Sequence, residues 1–387
     1  MLNLDLSPLE QDIQQAVRAL CQRFPDEYWR DLDREKAYPE AFVKALTEAG
    51  WLSILIPEEY GGGGMGLTAA SLVLEEIHRS GGNAAACHAQ MYIMGTLLRH
   101  GSAAQKEKYL PKIASGELRL QAFGVTEPDA GSDTTRIRTR AERQGDAYVI
   151  NGQKVWTSRA AYSDLLLLLA RTAPYDPEQR SRGLSVFLVD MRQARDNGLE
   201  IRPLETMLNH ATTELYFDDL RIPAENLIGE EGQGFRYILD GMNAERVLIA
   251  AECIGDGRWF VARGSRYATE RQVFGRPIGT NQGVQFPLAS AYAHIEAADL
   301  MRFKAARLFE AGQPCGPEAN MAKLLASEAS WAAANACLDT HGGYGFATEY
   351  DVERKFRETR LYSIAPVNNN LILAYLAHKV LGMPKSY

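Results

Sequence analysis

The spacing of apolar positions changes twice along this chain. Up to about residue 119 it is helical, with Ser7 before Pro8 as a start signal and Ile13, Val17 and Leu20 on one face. Further helices are expected at 39–49, 68–78 and 84–99. From about 121 to 223 the pattern becomes that of strands, at 164–171, 184–191, 199–204 and 214–222. Within it, 147–150 and 153–156 read as a hairpin, with Asn151-Gly152 supplying the positive φ of a tight turn. From Gly234 onward the helical period returns, with long segments expected at 235–271, 284–311, 316–335 and 371–380. The pattern gives an α+β chain with its strands in the middle. The expected domains are residues 1–119 (N-terminal, helical), 120–231 (a small central β-domain) and 232–387 (C-terminal, helical).

Composition narrows the class. Of 387 residues, 46% are hydrophobic and 24% charged, an ordinary globular balance. A formal charge of −7 argues against a nucleic-acid surface, although a local basic patch can still bind a phosphorylated ligand. The longest apolar run, 165–170, is too short to span a bilayer, so no membrane insertion is expected. The opening MLNLDLSPLEQD is acidic and lacks the apolar core of a signal peptide. Five scattered cysteines without a CxxC pair suggest reduced thiols and a cytoplasmic setting. The seven histidines show no metal-ligand spacing, so no metal site is expected. Gly61, Gly63 and Gly66 literally satisfy GxGxxG. Pro57-Glu58-Glu59-Tyr60 separates them from the preceding apolar run, and no acid ends a strand about twenty residues on, so they read as a glycine-rich connection.

Three stretches carry candidate chemistry. In QAFGVTEPDAGSD (121–133), the strand formers Phe123, Val125 and Thr126 lead into a Pro- and Gly-punctuated turn. Such a loop can offer hydroxyls and amide N–H groups to a polar or anionic ligand, or be a surface turn after an edge strand. Trp156-Thr157-Ser158 sets an indole beside two hydroxyls, which suits a planar heterocycle or a half-buried strand. Glu245 lies at helical spacing from Ile238, Met242, Leu248 and Ile249, which places a carboxylate on an apolar stripe. That is costly unless the group is catalytic or paired with an Arg at the rim.

The 121–133 stretch resembles the flavin- and substrate-binding signature of the acyl-CoA dehydrogenase family, and further matches run in the family's order from Leu6 to about Tyr350. The resemblance implies an N-terminal helical domain, a small β-domain and a C-terminal helical bundle. It implies FAD-dependent α,β-dehydrogenation of an acyl-CoA to a trans-2-enoyl-CoA by a homotetramer that passes electrons to an electron-transferring flavoprotein. FAD contacts would come from Phe123, Val125, Thr126, Trp156 and Ser158, and from Arg271, Phe274, Gln282, Asp339, Gly343, Asn368 and Asn370. Arg271 would meet the pyrophosphate of a neighbouring subunit's FAD; Asp339 stands where Gln is usual. Ser132, Asn243 and Arg246 match substrate-side positions.

Most members carry the catalytic Glu late in the chain, where this sequence aligns Pro366. A minority, including isovaleryl- and long-chain acyl-CoA dehydrogenases, carry it on a helix immediately before an Arg. Glu245-Arg246 occupies that place, which makes Glu245 the expected base. Pro366 also lacks the backbone N–H that helps polarise the thioester carbonyl in the common arrangement. Two other readings stay open: a relative that reoxidises its flavin with oxygen, as an acyl-CoA oxidase or flavin monooxygenase does, and, because of Pro366, a catalytically silent flavoprotein.

Overall fold

The computed structural model describes residues 6–385. Residues 1–5, which open the segment read above as lacking a signal peptide, lie outside them, as do 386 and 387. Helix α1 (Pro8–Cys21) starts at a capping box: the Ser7 Oγ accepts from the Glu10 N–H, and the Glu10 carboxylate accepts from the Ser7 N–H at 2.8 Å. Then come α2 (Asp26–Glu35), α3 (Glu40–Glu48), α4 (Leu67–Arg79), α5 (Ala85–His100) and α6 (Ala103–Ala114). The strands follow: β1 (Leu120–Gly124), β2 (Arg140–Gln144), β3 (Ala147–Ser158), β4 (Leu165–Arg171) and β5 (Leu184–Asp190). After the short α7 (Met191–Ala194) come β6 (Leu199–Pro203), β7 (Thr212–Pro223) and β8 (Leu227–Ile228). The 37-residue α8 (Gly234–Glu270) leads into a small hairpin of β9 (Gln272–Val273) and β10 (Arg276–Pro277). Helices α9 (Gln282–Glu310), α10 (Gly316–His341), α11 (Val352–Arg360) and α12 (Asn369–Tyr375) complete the order.

These elements form two compact units. The sheet unit takes Lys36–Met65 and Ala85–Met242; the helical unit takes the chain up to Glu35, Gly66–Ala84 and everything from Asn243. In the sheet unit the strand order is β6-β7-β3-β2-β4-β5-β8, with β1 parallel to β4. The run 165–170 is wholly apolar because β4 is buried on both faces. Leu165, Leu167 and Leu169 pack with Ile93, Leu97 and Leu110, whereas Leu166, Leu168 and Ala170 pack with Phe187, Leu215 and Phe217. In the helical unit, α8, α9 and α10 share a core that includes Ile249, Phe260, Ile295, Ala326 and Cys337.

One expectation from the sequence needs correction. Asn151-Gly152 does not turn a hairpin, because β3 runs through it. Gly152 takes φ +146 at a register shift against β7, while the reversal that joins β2 to β3 occurs at Gly145, with φ +64. Asn151 instead exchanges hydrogen bonds across to Asp219 on β7, at 2.9 Å each. The apolar run before the glycines, 51–56, holds a 3-10 turn (Trp51–Ser53), so no strand leads into them, in keeping with a glycine-rich connection. Among the described residues no helix is long and apolar enough to cross a membrane, and no group of three or more His, Cys, Asp or Glu could hold a metal ion. All five cysteines are buried and outside any disulfide.

Candidate active site

In the sheet unit the signature loop is held from below. After β1 ends at Gly124, Glu127 and Ala130 exchange backbone hydrogen bonds in a tight turn. The Glu127 side chain points inward and accepts from the Arg138 and Thr139 N–H groups, at 2.5 and 2.9 Å, and from the Lys154 ammonium at 2.8 Å. Lys154 is fully buried on β3, and its Nζ also donates to the Val125 carbonyl at 2.9 Å. Burial pushes the Glu127 carboxyl up, but the Lys154 charge and the hydrogen bonds outweigh it and hold the group below the usual carboxylate range. Burial draws Lys154 down to about 8 against the opposing pull of Glu127. One ion pair thus fixes both the turn and the strand beside it. The sequence reading missed this pair. Its signal was a Lys between inward-facing strand positions and an acid in the turn, but their pairing is non-local.

The same strand delivers Trp156. The Val155 N–H bonds the Thr126 carbonyl at 2.9 Å, and the β3–β7 register shifts between Lys154 and Thr157. Trp156 sits in that bulge with φ +62, and its indole is 59% exposed, more open than a half-buried strand Trp would be. Thr157 and Ser158 resume pairing with Thr213 and Thr212. Phe123 meets the Tyr92 ring edge-on at 5.7 Å, Val125 and Thr126 are half-buried, and Ser132 is exposed.

In the helical unit Glu245 is 2% exposed on α8, next to half-buried Asn243 and Arg246. Leu248 and Ile249 on the same helix are buried, as the spacing predicts; Ile238 is buried and Met242 half-buried in the sheet unit's core. Arg246 donates to the Asn243 side-chain oxygen at 3.2 Å. Burial draws the Arg246 pKa down, against the pull of the Glu245 carboxylate. On α10, Lys323 is fully buried. Its Nζ donates to the Val367 carbonyl and to the Asn369 Oδ1, both at 2.8 Å, on the segment just after Pro366.

The remaining expected positions lie on several other elements of this unit. Arg271 follows α8 and lies over the Tyr344 ring, 5.8 Å from its centroid. Tyr344 and Gly343 belong to the exposed 3-10 turn Gly342–Phe346 that ends α10, and exposed Asp339 lies on the last turn of that helix. Phe274 turns the β9–β10 hairpin with φ +52, its ring completely exposed at 101%. Gln282 opens α9 on the surface. Asn368 caps α12 by accepting from the Leu371 N–H at 2.9 Å, and Asn370 is exposed. His210 stands 3.4 Å from an Arg159 guanidinium nitrogen in the sheet unit.

Comparison with known proteins agrees with this arrangement. The acyl-CoA dehydrogenase N-terminal, middle and C-terminal domain models match residues 7–117, 122–220 and 232–380. A glutaryl-CoA dehydrogenase of Desulfococcus multivorans is 36% identical over 394 residues, covering 100% of this chain and 98% of the relative. The chain belongs to the acyl-CoA dehydrogenase family. It is an oxidoreductase of that flavoprotein family. An acyl-CoA dehydrogenase of Mycobacterium tuberculosis, FadE12, is 35% identical over 382 residues, covering 97% of each. A solved glutaryl-coenzyme A dehydrogenase in complex with glutaryl-CoA superposes with a TM-score of 0.92 at 35% identity, covering 100% of this chain and 98% of that one. That likeness carries the helical, β and helical architecture of the family.

Proposed function

We propose that this acyl-CoA dehydrogenase desaturates a CoA thioester between its α and β carbons, with FAD as cofactor and Glu245 as the base that takes the α-proton. Burial of Glu245 on α8, immediately before Arg246, carries the reading. A carboxylate held away from water is the kind of group whose basicity can rise toward the working pH. FAD, when bound, supplies the hydride acceptor for the β-carbon.

The residues present suit that cofactor. The bulge turns the Trp156 indole outward beside Ser158, an open aromatic face for a planar ring system. Arg271 ends exposed beside exposed Tyr344 and a glycine turn, where a guanidinium fork and free backbone suit phosphate oxygens. Fully exposed Phe274 and exposed Phe286, Tyr292 and Leu300 leave apolar surface on the helical unit that a second copy of the chain would cover. We therefore read the assembly as a homotetramer in which Arg271 and Phe274 reach a neighbour's FAD. Ser132, Asn243 and Arg246 would face the CoA thioester. An electron-transferring flavoprotein is the proposed acceptor, and buried cysteines outside any disulfide suit a cytoplasmic setting. The three matched segments fit domains at 1–119, 120–231 and 232–387.

The deciding experiment is an anaerobic visible spectrum titrated with straight, branched and dicarboxylic acyl-CoAs. Bleaching of the flavin band by some of them is the expected result. A flavin band that survives the whole panel would favour a silent flavoprotein, and no flavin even after added FAD would overturn the reading. Rapid oxygen consumption with substrate would point to an oxidase.

A further inference from the structure

A wholly buried ammonium lies behind the signature loop. Among the described residues Lys154 donates to two groups, the Glu127 carboxylate at 2.8 Å and the Val125 carbonyl at 2.9 Å. Its stem reaches them past Gly124, where an added Cβ would lie 3.5 Å from the Lys154 Cγ. The carboxylate offsets the cost of burying the charge. The carbonyl is a different matter, because an ordinary N–H donor would satisfy it, yet here it takes a charged one. At neutral pH the pair is ionised: burial draws Lys154 down to about 8, still above neutrality, and Glu127 lies below its usual range.

The Val125–Thr126 bond is trans, so the Thr126 N–H points opposite to the Val125 carbonyl and away from Lys154. The next peptide is fixed as well, since the Thr126 carbonyl accepts from the Val155 N–H at 2.9 Å. No acceptor among the described residues takes the N–H of half-buried Thr126, which leaves that donor open to a bound group. A peptide whose carbonyl accepts from a cation is polarised, and its N–H becomes a stronger donor. Two residues after Lys154 the same strand turns the Trp156 indole outward. One buried charge thus stands behind a free, strengthened donor, on the strand that presents the open aromatic face.

We propose that Lys154 is a positioning residue for the flavin: its ammonium fixes the Val125–Thr126 peptide so that the Thr126 N–H meets the FAD ring, and strengthens that N–H as a donor when the ring takes up electrons. The proposal rests on the reading of Val125, Thr126 and Trp156 as FAD contacts. Electron uptake adds negative charge to the ring, and a preorganised donor aimed at it favours that state over the oxidised one. Glu127 neutralises the ammonium as seen from a distance, so what reaches the flavin is the aligned peptide rather than a bare charge.

The test is a reductive titration against a reference dye, at pH 7 and without substrate, of the FAD-loaded wild type, Lys154→Met and Lys154→Arg. Lys154→Met keeps the volume of the side chain and removes the charge. It should lower the ratio of reduced to oxidised flavin at a fixed potential about tenfold, which is ~30 mV for a two-electron couple. Lys154→Arg keeps a charged donor in a bulkier side chain and should stay within about threefold of wild type. A role in packing alone would reverse that order, with Met close to wild type and Arg displaced. A Lys154→Met ratio at or above wild type, or a Lys154→Arg ratio that falls as far as that of Lys154→Met, overturns the proposal. If Lys154→Met does not fold or hold FAD, the double variant Lys154→Met/Glu127→Gln, which buries no unpaired charge, takes its place: a lowered ratio supports the proposal and an unchanged or raised one overturns it. A wild type that takes up no FAD would remove the cofactor reading as well. A bound flavin indifferent to all of these substitutions would remove only the role of Lys154.

Discussion

Glu245 could be read from the sequence because helical spacing is local: Leu248 and Ile249, three and four residues on, are enough to place it on a buried face. Replacing it with Gln removes the base and keeps the shape. FAD content should be unchanged and anaerobic flavin reduction should slow about 10³-fold, within the usual range for a general base; rates within a few-fold of wild type would refute the role. Glu127 and Lys154 could not be read this way, since the partners lie 27 residues apart and meet only once β3 is paired. Lys154→Met would leave the 7%-exposed Glu127 carboxylate with two backbone donors and without its hydrogen-bonded cation. Breaking a buried pair in this manner should cost about 3 kcal/mol in denaturant titrations at pH 7. The sign with pH follows. In the wild type Glu127 sits below its usual range, so its contribution is present at neutral pH and is lost as pH falls through the depressed pKa. In the variant the carboxyl should titrate above its unfolded value, so protonation on acidification relieves the strain. The stability gap between the two proteins should therefore narrow between about pH 6 and 4. A gap constant over that range would show that the ion pair is not the cause.

At the scale of elements, period and composition located the strands but misplaced one turn. Asn151-Gly152 has the best two-residue hairpin signal in the region, and Gly145-Asp146 is a weaker one. What decides between them is pairing: with β3 running from Ala147 to Ser158, β2 covers its first half and β7 nearly all of it. Gly152 then serves close approach. A Cβ built there would come within 2.6 Å of the Thr139 Cα, at a φ of +146 that L side chains rarely adopt. Gly152→Ala should destabilise the sheet by about 2 kcal/mol, the usual cost of overpacking, and lower the melting temperature accordingly. An unchanged melt would mean that β2 and β3 can part locally. The second irregularity of β3, the bulge at Trp156, has the opposite effect: it turns the side chain outward, which no two-residue period predicts.

At the scale of the molecule, the three sequence segments and the two compact units divide the chain differently. Residues 36–65 belong to the sheet unit although their pattern is helical, because Ile56 joins a core with Leu97, Leu110 and Leu120. No local signal announces such a core. The proposed assembly is legible only as a surplus, in the apolar side chains that one copy leaves uncovered. Burying a ring like that of Phe274 is worth about 2 kcal/mol, so a second copy that covers it with Phe286, Tyr292 and Leu300 gains appreciably. Arg271 makes a different contribution, charge directed at phosphate, so the two residues should separate experimentally. Phe274→Asp should shift the species seen by light scattering from tetramer toward dimer or monomer and lower the FAD-to-protein ratio with it. Arg271→Ala should keep the tetramer yet weaken FAD retention about tenfold or more, the loss expected for a charge-assisted hydrogen bond. A wild-type protein that elutes as a monomer with a full complement of FAD would show that each subunit completes its own cofactor site, and that this exposed face has another purpose.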